Sequence, residues 1–90
     1  MPHAHLHRSH PEIIKRLRRA EGHLRSVVAM IEEGRPCVDL AQQLHAVEAA
    51  VAGAKRELIH DHIEHCLDDT AEVGHVRAAL KEMKLLARYL

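Results

Sequence analysis

The chain has no phenylalanine and no tryptophan, and Tyr89 is its only aromatic residue. That absence removes the rings on which single-stranded bases stack, so a stacking platform for nucleic acid is excluded. The apolar content is instead Ala, Leu, Val and Ile, a composition that favours helices packed on helices over a sheet. Prolines occur only at Pro2, Pro11 and Pro36, which leaves Val38 to Leu90 without a helix breaker of that kind. No apolar run approaches the ~18 residues that cross a bilayer, and the His-rich N-terminus lacks the apolar segment of a secretory signal. A soluble, cytoplasmic protein with no membrane partner is therefore expected. Cysteine is scarce as well. Cys37 and Cys66 could form one disulfide, between subunits, but in a reducing compartment thiols near histidines read more readily as metal ligands. Nothing in the sequence assembles a nucleophile, a base and an orienting group, so an enzyme is not expected.

What is present is organised along the chain. Ninety residues make one small domain, and a core of this size is marginal without oligomerisation. Residues 1–8 show no periodicity and read as a flexible His-rich tail, followed by a single helical domain over 9–90. Ser9-His10-Pro11-Glu12 reads as a helix start with Ser9 as N-cap. Ile13, Ile14, Leu17, Ala20, Leu24, Val27, Val28 and Ile31 continue it at helical spacing, and Gly34 is placed to end it. Gly22 inside this helix reads as a point of close backbone contact. A second, long helix is expected from about Pro36 or Cys37 to about Asp68, and a third after Gly74, carrying Val76, Leu80, Met83, Leu86 and Leu90. One long helix flanked by two shorter ones cannot bury its apolar stripe alone. The expected solution is all-α: an antiparallel dimer with a four-helix core.

The segment Ile59-His60-Asp61-His62-Ile63-Glu64-His65-Cys66 concentrates donors. His62 and Cys66 are one helical turn apart and share a face, which suits a borderline or soft cation. Cys37 stands at the other end of the same helix, ~35 Å away at 1.5 Å per residue, too far to bind the same ion within one chain. In an antiparallel pair, Cys37 of one chain meets His62 and Cys66 of the other. The charges are also divided. Residues 1–25 carry six Lys/Arg against Glu12 and Glu21, whereas residues 57–72 carry six carboxylates and no Lys or Arg. A basic front suits an anionic partner and an acidic back a cation.

At this point the sequence resembles the CsoR/RcnR family of metal-responsive transcriptional repressors, most closely its nickel/cobalt-sensing branch. The resemblance rests on Arg16-Leu17-Arg18-Arg19-Ala20-Glu21-Gly22-His23-Leu24-Arg25, Met30-Ile31-Glu32, Cys37-Val38-Asp39 with Gln42-Gln43-Leu44, and His62-xxx-Cys66. It implies three helices per chain in an antiparallel dimer, paired again into a tetramer, and a repressor that binds operator DNA without metal and releases it with metal, derepressing a metal efflux gene. The family's ligands map onto Cys37, His62 and Cys66, with His5 as the extra N-terminal histidine of the nickel and cobalt sensors. His3 and His7 are further tail donors, and Glu82 stands where copper sensors place a supporting carboxylate. The Cys-His-Cys set alone is the three-donor pattern of Cu(I) sensors. Adding His5 gives the four donors that suit Ni(II) or Co(II). A formaldehyde sensor using Cys37 and the amine of Pro2 ranks after both.

Lys15, Arg16, Arg18, Arg19 and Arg25 on the first helix, with Lys55 and Arg56 on the second, are the candidate contacts to double-stranded DNA. Without a helix-turn-helix or aromatic residues to stack on bases, a surface that grips phosphates and reads duplex shape is expected rather than an inserted recognition helix, and the resemblance adds weight to DNA binding. The rival from another class is a metal buffer or chaperone with the same ligands and no DNA binding.

Overall fold

In a computed structural model, residues 10–68 and 73–90 are described, without the side chains of 66–68 and 73–75. Ser9 as N-cap, the flexible tail and His3, His5 and His7 all lie outside the described residues. The described chain is three α-helices: α1 (His10–Glu32), α2 (Cys37–Asp68) and α3 (Val73–Leu86), ending in a short 3₁₀ turn at Ala87–Tyr89.

The turn between α1 and α2 is set by two residues. Gly34 takes φ of 78°, a conformation open to glycine at no steric cost. This lets Arg35 N–H donate to Met30 O and Gly34 N–H donate to Ile31 O, each at 3.1 Å, so the last carbonyls of α1 are satisfied. Pro36 follows, and its carbonyl accepts from Leu40 N–H at 3.1 Å to begin α2. The sequence expectation for both helices holds here. The third helix differs at its edges. It begins at Val73, one residue before Gly74, and regular α geometry stops at Leu86, so Leu90 lies past it. No glycine or proline marks that end, and the last residues tighten into the 3₁₀ form common at helix termini.

The short turn folds α1 back along α2. Cross-links run in opposite directions on the two helices: Arg16 meets Glu57, and His23 meets Gln43. Ile13, Ala20 and Val27, seven residues apart, are the buried line of α1; Val47, Ala54 and Ile59 answer from α2, and Ala79 from α3. Two of those six hairpin side chains are alanines, so the hairpin is close-packed but its core is thin. The radius of gyration is 17.7 Å, against ~12 Å for a compact domain of this length. An elongated chain with a thin core leaves apolar surface uncovered. Leu17, Leu24 and Ile31 on α1 and Leu44, Val51 and Leu58 on α2 are all more than two-fifths exposed.

Gly22 departs from its expectation. A Cβ placed there would meet nothing within 4 Å, so no close contact inside the chain requires the glycine. Gly22→Ala is expected to raise stability by about 1 kcal/mol through helix propensity, read as a higher Tm. A lowered Tm would show that a second chain approaches the backbone at this point.

Candidate metal centre

Each proposed ligand is positioned by its place on α2. Cys37 opens the helix and is exposed, with no disulfide. Position 44 follows one heptad later, then 51 and 58, so Leu44, Val51 and Leu58 continue the line that Cys37 begins. One turn past Leu58 comes His62, and one turn past that is helical position 66. The apolar stripe of α2 is therefore bracketed by Cys37 at one end and by His62 and Cys66 at the other. Within the chain nothing covers it fully: Leu44, Val51 and Leu58 are 42%, 46% and 42% exposed.

His62 is half-buried and reaches across to α3. Its Nε2–H donates to Glu82 Oε1 at 2.8 Å. That bond selects the tautomer whose lone pair is on Nδ1, the form in which an imidazole binds a metal through Nδ1. The carboxylate singled out in the sequence thus does stand beside the histidine. Two neighbouring His–carboxylate pairs, His60 with Glu64 at 3.6 Å and His45 with Glu48 at 3.9 Å, are exposed and contribute little to stability. Among the described residues, no three His, Cys, Asp or Glu side chains gather into a group that could hold a metal. A single chain brings His62 and Glu82 together and keeps Cys37 apart from them. Thiolate and imidazole are donors that suit a soft or borderline cation, and Cys37 and His62 stand at opposite ends of α2.

The candidate DNA contacts are spread over more than one surface. Lys15, Arg16, Arg18, Arg19 and Arg25 are all exposed on α1, but only Arg16 and Arg19 line the groove between α1 and α2. Arg56 folds back along α2, with Nη2 3.9 Å from where a Cβ on Gly53 would stand. Lys55 follows Val51 by one turn and flanks the apolar stripe instead. Arg16 carries a partner the sequence reading did not name: its Nη1 lies 2.7 Å from Glu57 Oε2. Glu57 had counted only as part of an acidic back. The hairpin, not any local pattern, brings it to the basic front, so the two charge fields meet there. His23 Nε2–H likewise donates to Gln43 Oε1 at 2.6 Å, joining two residues of the quoted motifs across the helices. Among the described residues, no helix is long and apolar enough to cross a membrane.

The chain is similar to metal-sensing transcriptional repressors. The chain is 38% identical over 72 residues to the copper-sensing transcriptional repressor CsoR of Bacillus subtilis, a match covering 80% of this chain and 71% of that protein. It is 42% identical over 60 residues to the copper-sensing transcriptional repressor RicR of Mycobacterium tuberculosis, covering 67% of this chain and 62% of that one. The CsoR of M. tuberculosis matches at 36% over 70 residues, and the chain spans only 59% of its length. Among solved structures, the nickel-responsive transcriptional regulator InrS superposes with a TM-score of 0.81 at 34% identity, over 97% of this chain and 99% of that one. The family model described as metal-sensitive transcriptional repressor matches residues 9–88. The chain belongs to that family of metal-sensing, all-helical transcriptional repressors, the CsoR family.

Proposed function

We propose that the chain works as an antiparallel dimer, further paired into a tetramer, that binds operator DNA when metal-free and releases it on binding Ni(II) or Co(II). The observation that carries this reading is the self-complementary stripe of α2. Laid antiparallel on a second copy with Val51 against Val51, Leu44 falls opposite Leu58, since both pairs sum to 102. The same register sets Cys37 beside His62 and Cys66 of the other chain, whose sums are 99 and 103. One pairing covers the exposed leucines and completes the donor set at both ends. Cys37 and Cys66 would supply thiolates and His62 an imidazole nitrogen, with Glu82 holding the ring; His5 of the tail would bring a fourth donor.

The choice of metal follows the number of donors. Four N/S donors favour Ni(II) or Co(II), and the likeness to InrS, a nickel-responsive regulator, covers nearly the whole chain. The copper reading has its own support. Cys37, His62 and Cys66 alone make a three-donor set, and the relatives CsoR and RicR are copper-sensing.

Fluorescence anisotropy on the duplex upstream of the protein's own gene separates the readings. Metal-free protein should bind, and either Ni(II)/Co(II) or Cu(I) should release it. Metal binding without any salt-dependent duplex binding would leave a metal buffer in place of the repressor. Glu82→Gln provides a finer check on the site. It keeps the side-chain volume but removes the carboxylate from His62, and should weaken metal affinity or response by about 10- to 100-fold while metal-free DNA binding stays intact.

A further inference from the structure

The side of α2 turned away from the stripe carries a second feature. Gly53 is two positions past Val51, ~200° around the helix, so pairing through the stripe leaves this side open. A groove of about 500 Å³ runs there between α1 and α2, floored by Ala20, Ala49, Ala50 and Gly53. Its α1 rim is Arg16, Arg19 and His23, and Arg56 Nη2 lies 3.9 Å from where a Cβ on Gly53 would stand. Positive charge thus lines the α1 side of a channel whose floor is alanine and glycine. The carboxylate that meets it is Glu57, one turn past Gly53, 2.7 Å from Arg16. Arg16 is 54% exposed and Glu57 34%, so neither charge is deeply desolvated and the pair can exchange partners at small cost.

We propose that this groove seats a backbone phosphate of duplex DNA, and that Glu57 is an internal counter-anion which the phosphate must displace from Arg16. This rests on the repressor reading above. The shallow floor lets a sugar–phosphate chain come close to the helix backbones, and a guanidinium already held against one oxyanion is oriented to take another. Glu57 then sets the strength of DNA binding. It weakens the grip of the metal-free protein, so that a modest metal-driven change is enough for release. It also takes up a cation when freed, which flattens the salt dependence of binding.

The test measures duplex affinity of the full chain across a salt series, with sedimentation in parallel. Glu57→Gln, which keeps the shape and removes the charge, should bind about two- to five-fold tighter. Its slope of log K against log salt should be steeper by up to about one. Glu57→Asp keeps the charge and should leave the slope near wild type. Ala50→Leu fills the floor and should weaken binding more than about ten-fold with the oligomer mass unchanged. Weaker or unchanged binding by Glu57→Gln would overturn the proposal; weaker binding would mean that Glu57 merely positions Arg16. A shift in oligomer mass by Ala50→Leu with DNA affinity intact would also overturn it, making the groove a contact between chains. Wild-type protein that binds no duplex even at low salt would remove the repressor reading itself, a result distinguishable from either.

Discussion

Cys37→Ser should abolish the metal response while leaving DNA binding by the metal-free protein in place. In the proposed mechanism metal and DNA are linked by a coupling free energy, and ~1–3 kcal/mol of coupling corresponds to a five- to 150-fold weakening of DNA affinity on metal binding. Serine removes the thiolate and offers a neutral hydroxyl, a poor ligand for soft or borderline ions. The remaining donors on α2, His62 and Cys66, sit on one turn of one helix and cannot by themselves tie the two long helices together. The expected result is a metal-induced change below about two-fold in the same anisotropy titration. Because Cys37 is exposed at the start of α2, the substitution should cost little stability, so a lost response would not reflect unfolding. A variant that still released DNA with a wild-type metal dependence would remove Cys37 from the site, and the cross-chain arrangement with it.

Val51→Asp should have the largest effect on the assembly. In the proposed register Val51 meets its own copy on the two-fold axis, so one substitution brings two carboxylates together in the middle of an apolar seam. Unpaired charge buried in this way costs on the order of 3 kcal/mol or more. The single chain has little with which to compensate. Its buried side chains are Ile13, Ala20, Val27, Val47, Ala54, Ile59 and Ala79 among the described residues, a thin core for an elongated hairpin. Dissociation should therefore bring loss of helix with it, as for dimers that have no stable folded monomer. Sedimentation equilibrium would show a fall to monomer mass, and circular dichroism a reduced helical signal. Val38→Asp is the control: Val38 is 70% exposed, stands off the stripe, and should change stability by no more than about 0.5 kcal/mol. A Val51→Asp protein of unchanged mass would place the dimer seam elsewhere.

These expectations draw on features of unequal legibility in the sequence. The end of α1 and the start of α2 were readable because Gly34 and Pro36 act through local backbone chemistry, and the length of α2 followed from the unbroken spacing after Pro36. The close of α3 was not, because no such residue stands there. The His62–Glu82 contact was anticipated by resemblance, not by periodicity, since it joins two helices. The Arg16–Glu57 pair had no local signal at all. It exists because the hairpin sets those two positions opposite each other, and charge counts along a chain do not record which charges will face one another. Gly22 read as a packing glycine, yet inside the chain its space is open.

The length of α2 has one more consequence. Because it holds Cys37 at one end and His62 at the other, the proposed site is a logical conjunction: neither chain detects metal until it has a partner. On that arrangement a newly synthesised subunit would be blind to metal, and the sensing capacity of a cell would scale with assembled pairs rather than with total protein. Any related chain able to match the stripe around Val51 could lend or withhold half a site.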